Sequence, residues 1–157
     1  MEIYLSASGI KKKGHYSPTP HKNNINGNIK IPPGFKILII DDDTDFLEAL
    51  VYTLTQEKID VVAAGSGYKA LEVLEKDYFD LILLDLRMQG MDGVETFNRI
   101  KKIEAQPFVI IMTANLEDKQ EEAVKRLNPF GFIRKPFDLN QLIPYIEQRV
   151  KEEIIGH

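Results

Sequence analysis

Four aliphatic residues run straight into acid in the stretch ILIIDDDTD at 37–45. A helix N-cap needs one side-chain acceptor, so Asp41, Asp42 and Asp43 together exceed what a turn requires. Two like charges about 4 Å apart near a protein surface repel by about 4 kcal/mol. Positive charge is therefore expected among them. Two further chemistry-bearing residues end apolar runs in the same way, Asp85 after LILL and Thr113 after VIIM, and Lys135 stands near the end of a short fifth run in FGFIRKP. Carboxylates, a hydroxyl and an ammonium make a set of recognisable competence. Oxygen ligands that leave room for water suit Mg²⁺. Thr113 and Lys135 can bind phosphoryl oxygens, and one aspartate can act as a nucleophile that forms an aspartyl phosphate.

These residues meet only if the chain gathers strand ends at one edge. The hydropathy pattern predicts that it does. FKILII, IDVVAA, DLILLD, PFVIIMTA and a short run within FGFIRKP read as strands. Helices alternate with them. Phe46, Leu47, Leu50, Val51 and Leu54 mark one face of the first, with Thr44 or Asp45 as its N-cap. In the second, GYKALEVLEKD, Ala70, Leu71 and Leu74 are expected to face inward. GVETFNRIKKI and the strongly polar EDKQEEAVKRL read as the third and fourth. The fifth, DLNQLIPYIEQRVKEEI, opens on a capping box of Asp138 and Gln141 and carries Pro144, which tends to kink a helix. Strict alternation implies an α/β fold with a parallel sheet covered on both faces. In such sheets ligands bind at the carboxyl ends of the strands.

The totals fit one domain. The chain has 157 residues, 43% of them hydrophobic and 28% charged, and no cysteine, which excludes disulfides and thiolate metal sites. No apolar run reaches the length of a membrane span, and MEIYLSASGIKKKG lacks the order of a secretory signal, so a cytoplasmic location is expected. The net charge of −4 is uneven: residues 1–34 carry +4 and the remainder −8, which argues against nucleic-acid binding by the folded part. Residues 1–34, rich in Gly, Pro, Asn, Ser and Lys, read as a flexible basic tail, with the domain at 35–153 and a short tail at 154–157. The lysines at 11–13 read as solvated, and His15, His21 and His157 suggest no metal site.

The pieces ILIIDDD at 37–43, LILLDLRMQGMDG at 81–93, VIIMTAN at 109–115 and FIRKPF at 132–137, in this order and spacing, resemble the receiver domain of bacterial two-component response regulators. The resemblance implies a flavodoxin-like (βα)5 three-layer sandwich with strand order 2-1-3-4-5. It implies that Asp85 is the phosphoacceptor, and that Asp41, Asp42, Asp85 and the backbone carbonyl of Arg87 bind Mg²⁺. Thr113 and Lys135 would bind the phosphoryl group, and Phe132 would act with Thr113 as the switch. The Lys135–Pro136 bond would be cis. Side chains at Arg87 and Asn115 would set the lifetime of the phosphorylated state. The partners implied are a sensor histidine kinase or phosphotransfer protein, a downstream effector, and a second copy in a phosphorylation-dependent homodimer. The surface usually used for output is made by the fourth helix, fifth strand and fifth helix. No output module is legible after about Val150.

The chain departs from the family pattern at Gln89, where proline is usual. This is expected to loosen the loop and leaves a free N–H, but removes no ligand. Asp43 reads as a helix-leading acid favoured by the dipole, and Asp92-Gly93 as a turn. The leading function is a phosphoacceptor signalling module that is not an enzyme beyond its own phosphotransfer and dephosphorylation. One alternative is a receiver-like scaffold that works without phosphorylation. Another is a haloacid-dehalogenase-like phosphatase with D-x-D-x-T after the first strand. Asp41 and Asp43 fit that motif, but position 45 is Asp, not Thr.

Overall fold

The computed structural model describes residues 24–25, 29–103, 107–114 and 119–155. The histidines, the lysines at 11–13 and Asn115 lie outside them. Ahead of the domain, Asn24–Ile25 and Ile29–Lys30 pair as a minimal antiparallel hairpin. The domain alternates strictly: β1 Lys36–Ile40, α1 Thr44–Gln56, β2 Asp60–Ala64, α2 Gly67–Leu74, β3 Leu81–Asp85, α3 Gly93–Ile103, β4 Val109–Thr113, α4 Lys119–Arg126, β5 Gly131–Arg134 and α5 Leu139–Ile155. The five strands form one parallel sheet in the order β2-β1-β3-β4-β5.

Every residue of β3 and β4 is buried, as expected where helices cover both faces of a parallel sheet. Because side chains alternate along a strand, each strand feeds two cores. Ile37, Ile39, Leu81, Leu83, Ile110 and Met112 pack with α1 and α5. Leu38, Ile40, Ile82, Leu84, Val109 and Ile111 pack with α2, α3 and α4. The result is the three-layer α/β sandwich implied by the sequence. The chain enters the first core at Ile31, 4% exposed, four residues ahead of Phe35, where the hydropathy pattern begins.

Three local expectations change in detail. The N-cap of α1 is Asp43, not Thr44 or Asp45. Its backbone is extended and its Oδ1 accepts the Phe46 N–H at 3.1 Å, so the helix begins one residue after the acid that satisfies it. In α2, Val73 joins Ala70 in the core, while Leu71 and Leu74 are only half-buried. Helix α5 runs through Pro144 as one helix of 17 residues. Its capping box is formed reciprocally: the Gln141 N–H donates to Asp138 Oδ1, and the Asp138 N–H donates to Gln141 Oε1.

Candidate functional site

Strand register explains why residues far apart in sequence become neighbours. Ile40 pairs with Leu84, so Asp41 and Asp85 leave adjacent strands side by side. Asp85 pairs with Met112 and Thr113 with Arg134, which places Thr113 and then Lys135 one residue further along the same edge. The Lys135–Pro136 bond that follows is cis. Lys135 N–H donates to the Thr113 carbonyl at 2.8 Å and fixes the end of β5 against β4.

At this edge Asp41, Asp42 and Asp85 each offer an oxygen within 4.8 Å of the others. Asp41 is fully buried, Asp85 is 7% exposed and Asp42 faces solvent. Lys135 Nζ lies 2.5 Å from Asp41 Oδ2 and 3.8 Å from Asp85 Oδ1. It also sits 4.3 Å from the centroid of the Phe46 ring, whose negative face favours a cation there. Part of the repulsion among the acids is thus relieved from within the chain. One ammonium does not balance three carboxylates. Burial first, and the neighbouring Asp41 second, push Asp85 up to about 6, against the pull of Lys135 and of a hydrogen bond from the Arg87 backbone N–H. An all-oxygen cluster with residual negative charge and one face open to water fits a hard divalent cation that keeps some of its waters.

Backbone donors hold the carboxylates as well. The Asp43 N–H donates to Asp41 Oδ1, and the Gln89 N–H donates to Asp42 Oδ2, both at 3.0 Å. Thr113 is buried at 2% exposure. Phe132 is half-buried against the core that contains Val124 and Leu127. Arg87 is exposed at the mouth of the site. Every residue singled out as a ligand or phosphoryl contact therefore lies at one sheet edge.

Matches to known proteins fall on the same frame. The response regulator receiver domain model covers residues 37–147. The chain belongs to the response regulator receiver domain family. This receiver domain is 36% identical over 107 residues to the sporulation initiation phosphotransferase F of Bacillus subtilis (strain 168), covering 68% of the chain and 86% of that protein. It is 36% identical over 116 residues to the transcriptional regulatory protein GlrR of Escherichia coli (strain K12), covering 74% of the chain but only 26% of that regulator. The chain therefore corresponds to about a quarter of that larger protein. Among solved structures, a response regulator receiver domain protein from Clostridium thermocellum superposes with a TM-score of 0.69 at 26% identity, over 78% of this chain and 98% of that one. A CheY-like receiver domain protein from Methanospirillum hungatei JF-1 superposes with a TM-score of 0.73 at 24% identity, over 79% and 99%, and shares the fold.

Two positioning features have no clear trace in residue type. Gly93, read from sequence as part of a turn, lies against the backbone that carries Asp85. A Cβ there would stand 2.5 Å from the Asp85 carbonyl oxygen and 2.6 Å from Leu86 Cα. Its N–H donates to the Leu86 carbonyl at 2.9 Å, and Asp92 caps α3 by accepting the Glu95 N–H. The signal was the pair Asp92-Gly93, but its reach back to Asp85 is a tertiary fact. The second feature is the Gln89 N–H on Asp42.

Proposed function

We propose that this receiver domain takes a phosphoryl group onto Asp85 from a phosphohistidine of a sensor histidine kinase or a phosphotransfer protein. The observation that carries this reading is the buried Asp85 carboxyl at a strand end, beside two more acids and the Lys135 ammonium. A carboxylate oxygen of Asp85 attacks phosphorus in line with the departing nitrogen. The new O–P bond forms as the N–P bond breaks, and the released imidazole takes up a proton. With a folded-state value of about 6, Asp85 is mostly ionised at neutral pH and available as nucleophile. Lys135 and the Thr113 hydroxyl would meet the phosphoryl oxygens. Asp41, Asp42, Asp85 and the Arg87 carbonyl would hold Mg²⁺, which supplies charge neutralisation between the acids and the incoming phosphoryl group.

No reaction is assigned beyond transfer onto, and hydrolysis from, this aspartate. The product would be read by an effector protein or by a second copy of the chain, and a cytoplasmic setting belongs to the same proposal. Among the described residues no helix is long and apolar enough to cross a membrane. The test is incubation with acetyl phosphate and Mg²⁺. The chain should gain one hydroxylamine-sensitive phosphoryl group, and chelation of the metal should abolish uptake. Equal labelling of Asp85→Asn would remove Asp85 from the role.

A further inference from the structure

We infer that the backbone N–H of Gln89 is a positioning group for Asp42, and that it helps set how tightly this chain binds a divalent cation. The inference rests on the reading of Asp41, Asp42 and Asp85 as the metal site. Each of these carboxylates has a donor of its own. Asp41 is gripped by Lys135 Nζ and the Asp43 N–H. Asp85 accepts from the Arg87 N–H. Both are buried, so packing restricts them as well. Asp42 is the exposed member, and its hydrogen bond comes from across the site, 47 residues away, on the loop between β3 and α3.

This contact exists because residue 89 has an N–H to give; a proline there would have none. Gly90 follows at φ +79, a left-handed conformation that glycine adopts without strain, so the loop turns immediately after the donor. An exposed aspartate without a fixed partner samples several rotamers and must lose that freedom when it binds a cation. The Gln89 N–H engages Oδ2 and holds the side chain beforehand, leaving Oδ1 without that contact. The same bond ties the β1–α1 loop, which carries Asp41 and Asp42, to the β3–α3 loop, which begins directly after Asp85.

The test compares Mg²⁺ titrations of the full chain by calorimetry for wild type, Gln89→Pro, Gln89→Ala and Asp42→Ala. Gln89→Pro removes the donor and should weaken Mg²⁺ binding roughly three- to tenfold, the range of one ordinary hydrogen bond. Gln89→Ala keeps the N–H and should restore wild-type affinity. In the Asp42→Ala background, Gln89→Pro should have no further effect. A second readout avoids proline: without metal, the Gln89 amide should exchange with deuterium faster in Asp42→Ala than in wild type. The inference is overturned if Gln89→Pro binds Mg²⁺ as tightly as wild type or more tightly, if Gln89→Ala weakens binding equally, or if Gln89 exchange ignores Asp42. Failure of the wild-type chain to bind Mg²⁺ would overturn the metal-site reading as well. Wild-type binding with an indifferent Gln89→Pro would overturn this inference alone.

Discussion

Strand β3 is bracketed by two aspartates whose carboxyls are both raised by burial, and their surroundings give them different work. Asp85, at the end of the strand, reaches about 6 among acids and a lysine, in a site open to water on one side. Asp80, just before the strand, reaches about 7. Burial is the main cause, and Glu153 adds to it, against the Lys36 N–H that donates to it at 2.6 Å and the charge of Arg149. Arg149 is itself buried, donates to the Asp80 carbonyl and to Glu153, and stacks over Phe108. This second cluster fastens α5 to the sheet at the edge opposite the candidate site. An aspartate raised by folding binds its proton more tightly folded than unfolded. Its contribution to stability is complete below the ordinary value of about 4 and is lost as pH rises through about 7. Melting temperature should therefore fall as pH rises from about 4 to about 7, and Asp80→Asn should flatten that slope by removing one of the two raised aspartates, Asp85 being the other. An unaltered slope in this variant would mean that Asp80 is already ionised in the fold at pH 6.

At the scale of elements, the site is a consequence of register. Parallel pairing of β1 with β3, β3 with β4, and β4 with β5 delivers Asp41, Asp85, Thr113 and Lys135 to one edge. Asp41, Asp85 and Thr113 are legible in the sequence because each follows an apolar run, and the end of a buried strand shows as a change in hydropathy; Lys135 follows the exposed Arg134 and is marked instead by the proline after it. The parallel sheet and the cap of α5 are legible for similar reasons: alternation constrains the pairing, and Asp138 with Gln141 is a local signal; the order of the strands is implied only by the resemblance to the receiver family. The cap of α1 is less so, because several acids in a row all satisfy the same preference and only backbone geometry selects Asp43. Contacts made by backbone atoms are harder still. The Gln89 N–H depends on where two loops meet, and the closeness of Gly93 to Asp85 depends on how α3 docks. The second of these gives a sharp expectation. Gly93→Ala would force apart the start of α3 and the backbone of Asp85 and Leu86, neither of which is a flexible side chain. Overpacking of this kind costs about 1–3 kcal/mol, so urea denaturation should show a lower midpoint, and phosphoryl uptake should slow because the nucleophile's backbone has moved. A variant with unchanged stability and uptake would show that α3 can shift without disturbing the site.

For the whole molecule, the question is how an event at one sheet edge could reach a surface that another protein reads. The last strand is the natural carrier. It leads directly into Lys135, within reach of Asp41 and Asp85, and it contains Phe132. Phe132 packs on the same core as Val124 of α4 and the following Leu127, while its carbonyl accepts the Tyr145 hydroxyl of α5 at 2.7 Å. Tyr145 in turn lies over Gly131, where a Cβ would collide with its ring, and edge-on to Phe130. Movement of β5 would therefore be felt in α5, which is hydrogen-bonded to the Phe132 carbonyl, and in the core that Phe132 shares with Val124 of α4. Lys101 of α3 also donates to the Leu127 carbonyl at 2.7 Å, which ties the far end of α4 to the body of the domain and favours a local rearrangement over loss of the helix. A ligand can shift such an equilibrium only through its different affinity for the two states; under the proposed function, a phosphoryl group drawing on Lys135 and Thr113 would supply that difference at the strand end. Beryllofluoride with Mg²⁺, standing in for the phosphoryl group, should therefore shift the amide resonances of Val124, Leu127, Phe132 and Tyr145 as well as those around Asp41 and Asp85. It should also raise self-association or binding of an effector through the surface of α4, β5 and α5. Tyr145→Phe, which removes the hydroxyl and keeps the ring, should leave uptake at the site intact while shrinking the shifts along α5. Shifts confined to the strand ends, with residues 122–150 silent, would show that β5 does not carry the signal.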